Sequence, residues 1–298
     1  SNAQATGESA FMVTQSPQEE FDQLTNRLND AFMTRLGNSD AALAEQVMQF
    51  ARYMYANAPV EELAKKRIED LYGMTLAMWD FVLLRTGTQP RIRVFNPRFE
   101  DHGWQTTHTI VEIVSPDRAF LVDSIAMELN RRGLTIHSVV AEAFFSERDG
   151  QGRLQKIHLA HDSDTGEKEA LVHVEIDRQS DEHVLSEIVT TLENILRELD
   201  CAVSDFPLML KKMETLASHF SHRAKGEKVA VSEVKAFLHW LADNHFTFLA
   251  IREYQAMEQG GWLFMEAQPE HDLGIVKSSP HIDLMEVDGG PVVCPGKS

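Results

Sequence analysis

Residues 111–142, VEIVSPDRAFLVDSIAMELNRRGLTIHSVVAE, narrow the possible folds more than any other part of the chain. An alternating apolar run meets Pro116-Asp117-Arg118, and Leu121, Ile125 and Leu129 then recur four apart, the spacing of one helical face. Gly133 after Arg131-Arg132 reads as a C-cap with cations at the negative end of the helix. From Leu134 to Phe145 a second alternating run carries Ile136, Val140 and Phe144 on one face and Val139, Ala141 and Ala143 on the other. Apolar side chains on both faces predict a strand inside a sheet. The unit is therefore strand, charged turn, helix, strand.

The flanks extend it. Thr107 to Val114 supplies the first strand, and Arg91 to Phe95, closed by Asn96-Pro97, an edge strand. Asp149-Gly150-Gln151-Gly152 predicts a hairpin into Leu154–Leu159. A polar loop, 161–169, leads to a strand from Leu171 to Ile176, and Ser180-Asp181-Glu182 caps a helix carrying Leu185, Ile188, Leu192, Ile195 and Leu199. This order predicts an α+β fold, an antiparallel sheet with helices on one face.

The first ninety residues read as helices. Ser16-Pro17-Gln18-Glu19 combines an N-cap, proline at the first helical position and a capping-box glutamate ahead of Phe21, Leu24, Leu28 and Phe32. A second helix fits Asp40 to Tyr55, and a third, opened by Pro59, carries Leu63, Leu71, Met74, Met78 and Phe81 towards Gly87. The last hundred residues predict a helix from Asp205-Phe206-Pro207, a charged linker at 221–228 and a helix from Ser232. A strand from Phe246 to Tyr254 then pairs with Trp262–Met265 across Gln259-Gly260-Gly261. The expected division is 1–15, a disordered start with Ser1-Asn2-Ala3 as a tag remnant; 16–90, helical; 91–204, the sheet domain; and 205–298, the start of a second α+β module.

The segment from Val114-Ser115-Pro116-Asp117-Arg118 through Leu121, Ile125 and Leu129 to Gly133-Leu134-Thr135-Ile136 resembles the ACT domain, a ferredoxin-like module that binds amino acids in metabolic enzymes. A wider resemblance runs from about Asp22 to Lys277. FLVDSIAMELNRRGLTIH, VHVEIDRQSD and AFLHWLADNHFTFLAIREY are similar to the amino-terminal region of the large bacterial NAD-specific glutamate dehydrogenases. The resemblance implies a regulatory and assembly segment, with glutamate deamination and NAD in a catalytic domain far downstream, followed here by a PAS-like or ACT-like module. It implies no catalytic residue and no cofactor within these residues. The partners it implies are the rest of the dehydrogenase chain, further copies of it, and an amino-acid effector beside Pro116, Asp117, Arg118, Ala119, Phe120 and Asp123. Ala119-Phe120 stands where the ACT pattern has a glycine that admits the ligand, so packing of Phe120 competes with effector binding.

The residues themselves agree on what is missing. No Gly-x-Gly-x-x-Gly turn occurs; Gly260-Gly261 and Gly289-Gly290 are isolated pairs. A net charge of −18 argues against nucleic acid or an anionic membrane as partner. Two cysteines, with no signal peptide and no spanning apolar run, predict a reducing cytoplasm. His158 and His161 fall on opposite faces of a strand, wrong for one metal, and the run from Asp162 has its glycine one position too early for a calcium loop. An enzyme in its own right would need a pocket with convergent titratable groups, for which His108, His137 and His173 are the candidates.

Overall fold

The computed structural model describes residues 16–159, 165–223, 228–259, 262–278 and 293–295. Its contacts divide the chain into two compact units, Ser1–Pro116 with Arg132–Ser186, and Asp117–Arg131 with Glu187–Ser298. The fold is α+β. The expected boundary at residue 90 is not one of contact: the helices and the five-stranded sheet share the first unit.

In that unit, α1 (Pro17–Phe32) begins at the capping box, with the Ser16 side chain accepting from the Glu19 amide and the Glu19 carboxylate accepting from the Ser16 amide. Helix α2 (Ala41–Tyr55) is capped by Asp40. The single third helix expected from Pro59 is two, α3 (Val60–Ala64) and α4 (Ile68–Val82). Arg67 is extended between them, and the Lys66 ammonium reaches Glu175 of the sheet, an ion pair that a continuous helical repeat does not encode.

The sheet has the order β1-β2-β5-β3-β4 and is antiparallel throughout. It comprises β1 (Arg91–Phe95), β2 (Thr109–Pro116), β3 (Ile136–Arg148), β4 (Leu154–His158) and β5 (Glu167–Ile176), with the short helix α5 (Phe99–His102) between the first two. Strand β1 is an edge, as Asn96-Pro97 predicted. Strands β2 and β3 start and end two or three residues later than expected. Strand β5 begins at Glu167 rather than Leu171, because Glu169, which read as loop by its charge, is fully buried against Arg85 and Arg148. Residues 160–164, with His161 and the first three positions of the calcium-like run, lie outside the described residues. Gly152 closes the hairpin at φ +80°, where an added Cβ would lie 2.2 Å from the Arg85 carbonyl oxygen.

One face of the sheet meets the helices in a single core. Leu28, Phe32, Phe50, Met54, Leu71, Met74, Met78 and Trp104 pack with Ile110, Val114, Val140, Phe144 and Leu171. Burial of this apolar surface, at roughly 25 cal/mol per Å², is the main force holding the layers together.

The second unit contains α6 (Leu121–Arg131) and most of α7 (Glu182–Arg223). The expected helix start at 205 does not exist: α7 runs 42 residues through Pro207. Proline costs one backbone bond, but Ala202, Asp205, Met209 and Ala217 on the same helix are buried, and their burial keeps it continuous. Helix α8 (Lys228–Trp240) starts four residues before Ser232; residues 224–227 of the expected linker lie outside the described residues. The expected strand from Phe246 is only β6 (Ala250–Ile251), paired with β9 (Leu273–Gly274). The hairpin partner of β8 (Trp262–Ala267) is instead β7 (Tyr254–Gln259), and β10 (Val293–Pro295) lies on its other side.

Candidate functional site

The turn singled out in the sequence leaves β2 at Pro116, which pairs with Glu169 in the first unit. The remaining candidate residues belong to the second unit. Arg118 donates from Nε to Asp200 Oδ1 at 2.7 Å and from Nη1 to the Asp117 carbonyl at 3.2 Å, tying the turn to α7. The Leu121 amide donates to the Arg118 carbonyl and the Ser124 amide to the Phe120 carbonyl, so the first turn of α6 winds directly out of the loop. Asp123 is exposed on that turn.

Phe120 is held at φ +65°, the sole non-glycine residue with positive φ among those described. In this left-handed region an L side chain crowds its own backbone, at roughly 1–2 kcal/mol. Glycine is the residue that takes this conformation without strain. The side chain is 57% exposed and stands with Ala119 on the rim of a cavity of about 340 Å³. Leu199, Ala202, Val203 and Phe206 of α7 and the 246–249 segment complete its mainly apolar lining. Pro116, Asp117, Arg118 and Asp123 do not line it. The sequence pointed to the turn but not to Phe206 or Phe246, because no local pattern ties residues so distant in the chain to one cavity.

The turn does not have the form of a dinucleotide cradle. A dinucleotide cradle needs glycine at the strand-to-helix turn of a parallel sheet, so that the pyrophosphate can approach the backbone. Here the sheet is antiparallel and Phe120 fills that position.

The three histidines proposed for an independent enzyme lie in the first unit, each on a carboxylate. His108 Nδ1 is 2.9 Å from Glu175, His137 Nε2 is 2.7 Å from Asp177, and His173 Nδ1 is 2.9 Å from Glu112. The His108 and His137 rings stack at 4.2 Å. Burial pushes the Glu112 carboxyl up, but the His173 hydrogen bond and Arg93 outweigh it and hold the group below its ordinary range. Glu175 is likewise lowered, burial being overcome by Lys66, His173 and His108. Hydrogen bonds from Thr135, then His137, bring the half-exposed Asp177 down to about 2. His158 donates its ring contact to Glu147 at 3.0 Å. Among the described residues no group of three His, Cys, Asp or Glu side chains has the arrangement of a metal site. Nor is any described helix long and apolar enough to cross a membrane.

An antiparallel sheet entered through strand, charged turn, helix and strand, followed by a hairpin, strand and helix, defines an ACT-type α+β domain of ferredoxin-like kind. Residues 50–192 match the family described as glutamate dehydrogenase, ACT1 domain. The chain is 37% identical over 257 residues to the NAD-specific glutamate dehydrogenase of Halomonas elongata and 36% identical over 255 residues to that of Pseudomonas aeruginosa. Each match takes in 85% of this chain and 16% of the relative. A third, from Mycobacterium tuberculosis, is 25% identical over 142 residues. The chain thus belongs to the NAD-specific glutamate dehydrogenase family, and it spans 16% of the length of its two more similar relatives.

Proposed function

We propose that the chain is a non-catalytic regulatory and assembly segment of a cytoplasmic NAD-dependent glutamate dehydrogenase. The parent enzyme deaminates L-glutamate oxidatively to 2-oxoglutarate and ammonia, with NAD and the catalytic residues outside this segment. The observation that carries this reading is the ACT1 match over residues 50–192, the region that contains the strained β2–α6 turn. Regulation is by an amino acid held at residues 116–123: orphan amides at the start of α6 receive its carboxylate, and Asp117 or Asp123 its ammonium group. The apolar cavity beside Ala119 and Phe120 favours an apolar side chain on that effector. Assembly into a homo-oligomer, with the exposed Phe120 as a contact, is the second reading.

The test is a thermal-shift panel of aspartate, arginine, glutamate and the branched-chain amino acids, with NAD alongside, since a ligand that binds only the folded state raises its melting temperature. A shift with one amino acid that Asp117→Ala abolishes supports the sensor. No shift with any of them leaves assembly as the function of the segment.

A further inference from the structure

Strand β4 closes one side of the five-stranded sheet, and among the described residues the strand pairing on its outer edge is only begun. The Leu154 amide donates to the Leu83 carbonyl and the Arg85 amide to the Gly152 carbonyl, so Leu83–Arg85 starts an antiparallel sixth lane opposite Arg153. An antiparallel partner continuing along β4 towards His158 would use the residues before Leu83. Those residues are wound into α4, which ends at Val82, so the lane stops after one bridge. Beside residues 155–158 no further strand partner lies on that edge among the described residues. Alternate residues of such an edge turn N–H and C=O groups outward, ready to pair.

A groove of about 560 Å³ runs along this edge. Trp79 and Leu83 from the end of α4, with Leu154, Ile157 and Leu159, give it an apolar floor. Gln46 and Gln49 of α2 and Gln155 bring three carboxamides to it, groups that donate to and accept from peptide bonds. Its charged or titratable lining is Lys156 and His158; His158 is held by the Glu147 carboxylate at 3.0 Å, which leaves the lysine as the group that faces the groove. Lys156 is 66% exposed and only loosely held, 3.8 Å from Glu147.

We propose that β4 and this groove dock an extended acidic peptide segment, which adds antiparallel to β4, buries alternate apolar side chains over Trp79 and presents a carboxylate to Lys156. Strand addition draws affinity from backbone pairing and specificity from the pockets for alternate side chains. The proposal is independent of the effector reading, because every residue it uses lies in the first unit and none in the 116–123 turn.

The experiment titrates the 298-residue chain with a capped eight-residue peptide of alternating valine and glutamate. Calorimetry gives affinity, and hydrogen exchange reads the amides of residues 155–158. The same peptide N-methylated at alternate amides, and a valine–lysine version, are the comparison ligands. Binding with slowed exchange in β4, weakened about tenfold or more by N-methylation, by lysine for glutamate and by Gln49→Glu, is the expected result. Gln49 is an exposed α2 side chain, so its variant keeps the fold; an unchanged melting temperature checks that. No binding of the acidic peptide at millimolar concentration overturns the proposal, as does binding indifferent to N-methylation. Protection of β4 that rises with protein concentration in the absence of peptide also overturns it, by making the occupant a second copy of the chain.

Discussion

The two units both bury paired carboxylates, but they differ in how densely those pairs are networked and in how much apolar surface is left exposed. The first buries three glutamates, Glu112, Glu169 and Glu175, and gives each at least two basic partners on the helix-covered side of the sheet. Arg91 and Arg93 lie over the Phe81 ring at 4.5 and 4.6 Å, so even its edge strand is held by cation–π contact. Among the described residues the second unit also buries three carboxylates, Glu128, Asp205 and Asp272, which meet Arg131, Lys277 and Arg252, but it leaves Phe120, Leu208, Leu216, Phe237, Trp240, Phe246 and Leu249 exposed. A sheet that closes over paired charges specifies its own structure. A unit that shows aromatics to solvent has apolar surface left for association.

Breaking the buried pairing has the largest expected effect. Arg85→Met removes contacts to Glu167, Glu169 and the Gly87 carbonyl and leaves Glu169 buried with Arg148 alone. A loss of about 3–5 kcal/mol is expected in chemical denaturation, as for breaking any buried ion pair. Adding Glu169→Gln should restore part of it; full additivity of the two losses would show that the pairing is not the cause. Gly152→Ala comes next, at about 2–4 kcal/mol, because its Cβ must displace the Arg85 backbone.

Acid provides a third contrast. Glu112, Glu169 and Glu175 are all held below their ordinary value of 4.5 in the folded state. Their stabilisation is therefore complete above that value and is lost as the pH falls through the lower folded values. Fluorotryptophan NMR separates the units, since Trp79 and Trp104 report the first and Trp240 and Trp262 the second. Signals of the first pair are expected to be lost on acidification below about pH 4. Their persistence to pH 2 would remove the buried glutamates as the reason for the contrast.

The smallest effects belong to the second unit. Phe120→Gly should stabilise by about 1 kcal/mol, since it releases the left-handed strain of a half-exposed side chain. A melting temperature that falls instead would mean that Phe120 contributes more by packing than the strain costs. Phe237→Ser should change stability by less than about 0.5 kcal/mol, as for other exposed positions. Sedimentation velocity should show weaker self-association for this variant if the exposed aromatics build contacts between copies.

How much was legible in the sequence follows the range of the interactions. The capping box at Ser16, the Gly133 C-cap, the edge strand before Asn96-Pro97 and the 149–152 hairpin are set by contacts within a few residues, and the chain folds as they read. The break between α3 and α4, the early start of β5 and the passage of α7 through Pro207 depend on Lys66 meeting Glu175, Glu169 meeting two arginines, and distant burial. The 116–123 turn was legible, and its departure from glycine with it. The cavity behind Ala119 and Phe120 was not.

The sequence by itself determined the α+β order of elements, their local caps and turns, and the kinship with NAD-specific glutamate dehydrogenases, because periodicity, capping and family pattern are written along the chain. Only the tertiary structure decided which charges could be buried, which lane beside β4 stops after one bridge, and which side chains surround Phe120. Those outcomes depend on groups far apart in sequence, whose pairing energy exists only once folding has removed them together from water.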